Sequence, residues 1–275
     1  MNYVNSLSIY GFMNKNCYID DNNCLAYWKT KSKSQYVQCI HYDKSLLDSD
    51  IKKISYMYLD ENPMYKGSFM MEQITSNIDK TFIKDYINRQ NHREIYESIR
   101  KYDSKIEVIK GSKDIIEKHY DEIIEMIKEW QYAEYGGMKY MWQERAGVDK
   151  SFFARYINSI FIQNNISIYL FFHKELENKL IGYSIMPNLY NINEYNIPEF
   201  SYMLRKCILK NENVNLRNIT LYIDWWTFNE TMKKFSFDNI AINWGCSSGG
   251  VKAYKENKWP VLYKENKWFL NIKLC

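Results

Sequence analysis

The chain has 275 residues, of which 46% are hydrophobic and 25% charged, and this balance indicates a folded rather than a disordered protein. Its 37 Lys and Arg against 33 Asp and Glu give a net charge of +4, which permits an anionic partner without requiring one. The six cysteines form no C-x-x-C pair, so we expect free thiols rather than structural zinc. No apolar run approaches the roughly 20 residues of a membrane span, and no cleavable leader is apparent, so we expect a cytoplasmic protein.

The first third of the chain predicts strands followed by helices. From Ser76, apolar residues at 3.6-residue spacing predict a helix, and a second helix carries Ile95 and Ile99 on its apolar side. We therefore predict an N-terminal α+β domain over residues 1–104 and a second domain over residues 105–275. The strands predicted in the N-terminal domain lie at residues 8–13, 24–28, 35–41 and 53–59.

The second domain has a more regular pattern. It begins with a predicted strand at residues 105–109, followed by a helix that Ser112 caps and, after a break near residue 136, a helix that Asp149 caps. Thr227 and Glu230 predict a capping box for a later helix. The other elements predicted here are strands at residues 166–173, 179–187 and 217–226 and a short helix at residues 199–209.

The most informative stretch is NIAINWGCSSGGVKAYKENKWP, residues 239–260. Residues 240–244 predict an uncharged strand, residues 245–250 a turn rich in Gly and Ser, and the residues after 250 a helix. Backbone N–H groups at such a helix start favour an anion or a developing oxyanion, although a tight connection with no ligand is the alternative. The candidate substrate-binding residues of this turn are Gly245, Ser247 and Ser248.

This stretch also carries a family resemblance. A strand that ends in Gly245, a Gly-Val-x-x-Tyr-Lys helix with Tyr254 and Lys255, and a Trp-Pro pair before two strands resemble the closing unit of the GNAT acyltransferase fold. The resemblance is nearest to the FemABX and phosphatidylglycerol lysyltransferase branch, and it covers residues 105–275 loosely. It implies an α+β fold with a GNAT-like mixed, mostly antiparallel sheet flanked by helices; two tandem GNAT-like domains are one arrangement of it.

The resemblance implies an enzyme that transfers an acyl or aminoacyl group from an activated donor to an amine or hydroxyl. It assigns protonation of the leaving group to Tyr254 and stabilisation of a phosphate or a carbonyl oxygen to Lys255. A backbone N–H near Ile185 and Met186 would polarise the scissile carbonyl, in a gap where this strand diverges from the strand at Ile242. The resemblance places three further residues on the acceptor side: Tyr140, Trp142 and Glu144.

The sequence offers two candidates for the general base that deprotonates the nucleophile. Asp224 lies among apolar residues of a predicted strand and is not needed as a helix cap, so it is a candidate general base. Glu144 is the second candidate. An ordinary ion pair at the end of a strand is the alternative interpretation of Asp224.

The donor is inferred from a missing motif. GNAT enzymes that use acetyl-CoA place an Arg or Gln, then x-x-Gly-x-Gly or Ala, after the diverging strand, whereas residues 188–198 contain no glycine. This favours aminoacyl-tRNA as the donor, with no tightly bound cofactor and no metal. Two alternatives stay open: an acyl-CoA-dependent N-acetyltransferase with an atypical CoA site, and a non-catalytic GNAT-like binding module. The acceptor, whether a small molecule, a peptide, a lipid or a nucleic acid, is not determined by the sequence.

Overall fold

The computed structural model describes residues 17–20, 25–29, 35–39, 53–56, 58–59, 68–81, 93–135, 153–201, 207–208, 216–246, 249–270 and 272–273. The strands are β1 (Cys17–Asp20), β2 (Leu25–Lys29), β3 (Gln35–Cys39), β4 (Lys53–Tyr56), β5 (Tyr58–Leu59), β6 (Ser68–Asp79), β7 (Ile106–Lys110), β8 (Ile166–His173), β9 (Lys179–Pro187), β10 (Asn191–Ile192), β11 (Pro198–Ser201), β12 (Cys207–Ile208), β13 (Asn239–Cys246), β14 (Val261–Leu270) and β15 (Ile272–Lys273). The helices are α1 (Arg93–Tyr102), α2 (Lys113–Lys118), α3 (Tyr120–Tyr135), α4 (Ile160–Asn165), α5 (Ile219–Phe235) and α6 (Gly249–Lys258); residues 153–158 are also helical.

The described strands form three sheets. Their orders are β1-β2-β3-β4-β15, β10-β11-β13-β6-β14-β5 and β12-β9-β8-β7. Most neighbours are antiparallel, whereas β3 with β4 and β11 with β13 are parallel. The structure thus confirms an α+β fold with mixed, mostly antiparallel sheets flanked by helices.

One hairpin joins the four-stranded sheet to the six-stranded sheet. Asn191 faces Glu199 and Tyr183 faces Cys207, so a step of eight residues along one strand matches a step of eight along the other. In an antiparallel pair, two residue pairs are equally spaced along both strands only when they belong to the same register. The β9–β10 segment and the β11–β12 segment are therefore the two arms of a single hairpin.

Strand β6 comes from the N-terminal part of the chain but lies between β13 and β14. Ile74, Ser76 and Ile78 are buried against the helices, while Gln73 and Thr75 alternate onto the other face. We predicted a helix beginning at Ser76, and this prediction is wrong for Ser76 to Asp79. These residues form the end of β6 and follow the two-residue period of a strand. The domain boundary at residue 104 stays a prediction.

Helix α5 corrects two further predictions. The strand predicted at residues 217–226 is wrong, because these residues contain the first turns of α5. The helix is buried on several sides: Ile223 packs in the core beside β8 and β9, and Phe228 packs in the core beside β13. Such a helix lacks the one-sided apolar stripe that distinguishes it from a strand. The predicted cap is also wrong, because Thr227 lies within α5 and donates its hydroxyl to the Ile223 carbonyl at 2.7 Å.

Several other predictions are confirmed. Strands β8 and β9 have the predicted bounds, and the Ile115 N–H donates to the Ser112 hydroxyl that caps α2, at 3.3 Å. The short helix predicted at residues 199–209 is wrong, since strands β11 and β12 lie there. The core is rich in aromatic residues, and its largest fully buried side chains are Trp259, Tyr102, Tyr183, Tyr222, Phe153, Phe171, Phe200 and Phe228.

Candidate active site

Helices α5 and α6 bring together two residues that the sequence singled out for different reasons. The hydroxyl of Tyr254 on α6 donates a hydrogen bond to Oδ2 of Asp224 on α5, at 2.6 Å. Asp224 is completely buried. The candidate acid and the candidate base therefore form one directly hydrogen-bonded pair.

An aromatic wall positions this pair. The ring of Trp244, near the end of β13, meets the Tyr254 ring edge-on, with 6.4 Å between the ring centroids. Trp259 and Phe228 pack against Trp244 from the far end of α6 and from α5. Aromatic surfaces exclude water around the hydrogen bond and so strengthen it. Neither Trp244 nor Trp259 is among the predicted site residues, although a Trp on each side of the α6 sequence was a visible signal.

The pair has defined proton positions. Burial is the main cause that raises the pKa of Tyr254 well above its usual value, and the adjacent Asp224 charge adds to it. Tyr254 is consequently protonated at neutral pH and acts as the donor in the hydrogen bond. Its oxygen can accept a proton from a substrate only while its own proton moves to Asp224.

Lys255 and Gly245 hold the end of β13. The buried Lys255 ammonium donates to the carbonyl of Trp244 at 2.7 Å and to that of Gly245 at 3.5 Å. Gly245 has a left-handed backbone with φ of 65°, and its N–H donates to Oδ1 of Asn243 at 3.0 Å. Both residues therefore stabilise the connection from strand to helix, while their roles toward a substrate stay predictions.

The diverging strand is not the predicted one. Ile185 and Met186 are buried on β9, where Ile185 faces Ile168 of β8. The strand beside β13 is β11, in which Phe200 faces Ile242, so the expected juxtaposition of Ile185 with Ile242 is wrong. The β11–β12 arm accompanies β13 at residues 199–201 and pairs with β9 at residues 207–208. The β11–β12 arm therefore pairs first with β13 and then with β9, so any divergence from β13 lies one strand further along the chain than the resemblance implied.

Five of the predicted site residues lie outside the described part of the chain, and their roles stay predictions. They are Glu144, Tyr140, Trp142, Ser247 and Ser248.

Two structural features are absent from the described residues. Over the ranges given above, no helix combines the length and the apolar character needed to cross a bilayer. In the same ranges, no three His, Cys, Asp or Glu side chains cluster in a way that could hold a metal ion.

Comparison with known proteins gives matches in structure alone. No protein-family model matches the sequence, and no curated protein does. A conserved protein of unknown function from Bacteroides thetaiotaomicron matches with a TM-score of 0.56 and 11% identity, over 98% of this chain and 90% of that one. L-PGS from Bacillus licheniformis matches with a TM-score of 0.54 and 13% identity, over 96% of this chain and 86% of that one.

A third solved structure is the C-terminal domain (DUF2156) of a putative lysylphosphatidylglycerol synthetase from Agrobacterium fabrum, with a TM-score of 0.53 and 7% identity over 98% of this chain and 88% of that one. The chain has a GNAT-like fold. The three solved structures named above share this overall fold with the chain. Identities this low show a shared fold and leave activity to be argued from the site.

Proposed function

We propose that the protein is an acyltransferase that moves an acyl or aminoacyl group from an activated donor to an amine or hydroxyl. The observation that carries this proposal is the 2.6 Å hydrogen bond from Tyr254 to the buried Asp224, beside the end of β13. A half-buried phenol that donates to a buried carboxylate can relay protons, and acyl transfer needs a proton removed from the nucleophile and one delivered to the leaving atom.

The pair performs both proton transfers in sequence. As the nucleophile attacks the carbonyl carbon, its proton passes to the Tyr254 oxygen while the Tyr254 proton moves to Oδ2 of Asp224. The new bond joins the nucleophile to the carbonyl carbon. When the bond from that carbon to the leaving oxygen or sulfur breaks, both protons move in the opposite direction and the leaving atom is protonated. The concerted movement avoids a free phenolate, which the raised pKa of Tyr254 makes unfavourable.

We favour aminoacyl-tRNA as the donor over acyl-CoA. Because β11–β12 is the diverging arm, a CoA-binding loop would lie between β12 and α5, and residues 209–218 contain no glycine, as residues 188–198 also do not. One of the structural neighbours is a domain of a putative lysylphosphatidylglycerol synthetase, and lysylphosphatidylglycerol carries an aminoacyl group. Both observations support an aminoacyl donor that is consumed as a substrate, with no tightly bound cofactor.

The test compares donors directly. The purified protein is incubated with aminoacyl-tRNA labelled in the aminoacyl group, or with labelled acetyl-CoA, each with a panel of amines, hydroxyl compounds and phospholipid vesicles. We expect the label to move from aminoacyl-tRNA to an acceptor. Transfer from acetyl-CoA alone would make the protein an N-acetyltransferase. No transfer from either donor, together with salt-dependent binding of nucleic acid, would instead establish a binding module.

A further inference from the structure

The six-stranded sheet has a polar face on the side opposite Tyr254. Side chains alternate along a strand, and Trp244 donates from Nε1 to Ser76 on the face that α5 covers, so Asn243 and Thr75 lie on the other face. The register places Thr75 between Asn243 and Tyr263, and it places Ala241 between Glu199 and Asn77. These residues define the polar-face cluster, which consists of Glu199, Asn243, Tyr263, Thr75 and Asn77.

Glu199 brings negative charge to this cluster. Its Oε1 accepts from Nδ2 of Asn243 at 2.9 Å, and its Oε2 accepts from the Tyr263 hydroxyl and from Nδ2 of Asn193 at 3.4 Å. All three donors are neutral, and within the described ranges Glu199 forms no ion pair. A carboxylate has about four acceptor positions, so one remains for a further donor.

Two more buried oxygens in the cluster can accept a hydrogen bond. The Thr75 hydroxyl lies beside the Tyr263 hydroxyl, to which it can donate, so its own oxygen keeps acceptor positions; Oδ1 of Asn77 is buried and has no hydrogen-bond partner among the residues that the structure describes. Thr75 is 0% exposed, so bulk water does not reach it. Buried polar atoms of a folded protein are nearly always hydrogen-bonded, so Oδ1 of Asn77, beside the open acceptor positions of Thr75, indicates a further group that donates hydrogen bonds.

We propose that the polar-face cluster binds a primary ammonium group. An alkylammonium has one positive charge and three N–H donors, which match the Glu199 carboxylate, the Thr75 hydroxyl and Oδ1 of Asn77. Ala241 separates Glu199 from Asn77 and occupies little space with its methyl group. Tyr195 stacks on the Tyr263 ring at 5.6 Å and is 49% exposed, so the cluster reaches solvent at this edge.

The biological source of the ammonium rests on the proposed function. It belongs either to an amine acceptor or to the amino group of an aminoacyl donor. The cluster and the Tyr254–Asp224 pair lie on opposite faces of β13, next to its successive residues Asn243 and Trp244. A substrate reaching through the divergence between β11–β12 and β13 would therefore contact both.

The experiment measures binding and does not require turnover. Isopropylammonium chloride is titrated into the full-length protein by calorimetry, with tetramethylammonium, which lacks N–H donors, and isopropanol, which lacks charge, as matched probes. We expect saturable binding of isopropylammonium that is at least tenfold tighter than binding of either matched probe. Glu199→Gln should weaken it at least tenfold, and Thr75→Val and Asn77→Leu about threefold each. Glu175→Gln removes an exposed carboxylate paired with Lys105 and should change nothing.

Absence of saturable binding to the wild-type protein would overturn the proposal, since a buried water molecule would then suffice for the two oxygens. Undiminished binding by Glu199→Gln would overturn it as well. If circular dichroism shows that Glu199→Gln does not fold, the Thr75→Val variant tests the proposal instead. This substitution keeps the shape of the side chain and the charge of the cluster.

Two further arms separate this proposal from the catalytic one. Tyr254→Phe should bind isopropylammonium like the wild type, so a loss of turnover with retained binding concerns the catalytic pair alone. Alaninamide, which carries a carbonyl next to its ammonium group, should bind more tightly than isopropylammonium if the aminoacyl donor is the source. Weaker binding of alaninamide would assign the cluster to the amine acceptor.

Discussion

Tyr254 and Asp224 are 30 residues apart and come from different helices, yet they share one short hydrogen bond. The sequence selected Tyr254 from a family resemblance and Asp224 from its apolar neighbours, but it did not predict their contact. Contact depends on α5 being a helix, because only then does Asp224 face α6. Glu199 was not selected at all, since it lay in a segment interpreted as a helix.

At this scale we first predict the effect of Tyr254→Phe. The change keeps the ring against Trp244 but removes the proton, so kcat should fall about 100-fold and the buried Asp224 should lose a donor. The free energy of unfolding should drop by about 1–3 kcal/mol, measured in urea. Tyr102→Phe is the matched control, because it loses a single hydrogen bond, to the Arg217 carbonyl, away from the pair. Equal turnover in Tyr254→Phe and the wild type would remove Tyr254 from the mechanism.

A second prediction concerns Lys255. Lys255→Met keeps the aliphatic stem but leaves the carbonyls of Trp244 and Gly245 without their ammonium donor. We expect a loss of about 1–3 kcal/mol in the free energy of unfolding, seen as a lower urea midpoint. Lys252→Met, on the same helix, removes a more exposed ion pair with Glu72 and should cost less than about 1 kcal/mol. If both variants lost the same free energy of unfolding, Lys255 would not stabilise the end of β13 through these carbonyls.

At the scale of elements, local pattern predicted the strands that alternate or end in clear turns. Strands β8 and β9 were predicted with their observed bounds because their apolar runs flank a polar turn at residues 174–178. Strand β6 and helix α5 were mispredicted for opposite reasons. In β6, Ser76 and Asp79 resemble a capping pair and Ile78 begins an apolar run at helical spacing, whereas α5 is buried on several sides. Their true class is set by tertiary neighbours that a local window does not contain.

The junction between β13 and α6 gives a prediction at this scale. Gly245 has φ of 65°, and a Cβ built there meets no atom within 4 Å, so only backbone strain opposes a side chain. Gly245→Ala should therefore lower the free energy of unfolding by about 1 kcal/mol. Gly245→Asn should cost less, because Asn tolerates the left-handed region. Thermal unfolding of both variants checks this order, and a neutral Ala variant would contradict it.

At the scale of the whole molecule, β6 makes the sheet depend on the N-terminal part of the chain. It pairs with β13 on one side and with β14 on the other. A fragment of residues 105–275 would lack both β6 and β5, which would leave β13 with one unpaired edge and β14 with two. We expect that fragment to show no cooperative unfolding by circular dichroism, whereas residues 68–275 should unfold cooperatively. Cooperative unfolding of the shorter fragment would support a domain boundary at residue 104.

The buried tyrosines predict how stability changes with pH. Burial raises the pKa of Tyr102 to about 12, and it raises the pKa values of Tyr222, Tyr254 and Tyr263 above the unfolded value near 10. A pKa that is higher in the folded state stabilises the fold fully below pH 10, and this stabilisation is lost as the pH rises through the folded value. The free energy of unfolding should thus be insensitive to these groups near neutrality and should fall above about pH 10. Absorbance at 295 nm, recorded alongside unfolding, should show these tyrosines ionising together with loss of structure.

The position of β6 also constrains the order of events during synthesis. Lys80, just after β6, forms an ion pair with Asp238, so the ribosome must add 158 residues after Lys80 before this partner exists. Pairings between such distant segments form slowly and leave a strand edge exposed in the meantime. The nascent chain therefore has to protect its early strand, and the sheet closes only after β13 and β14 have been synthesised.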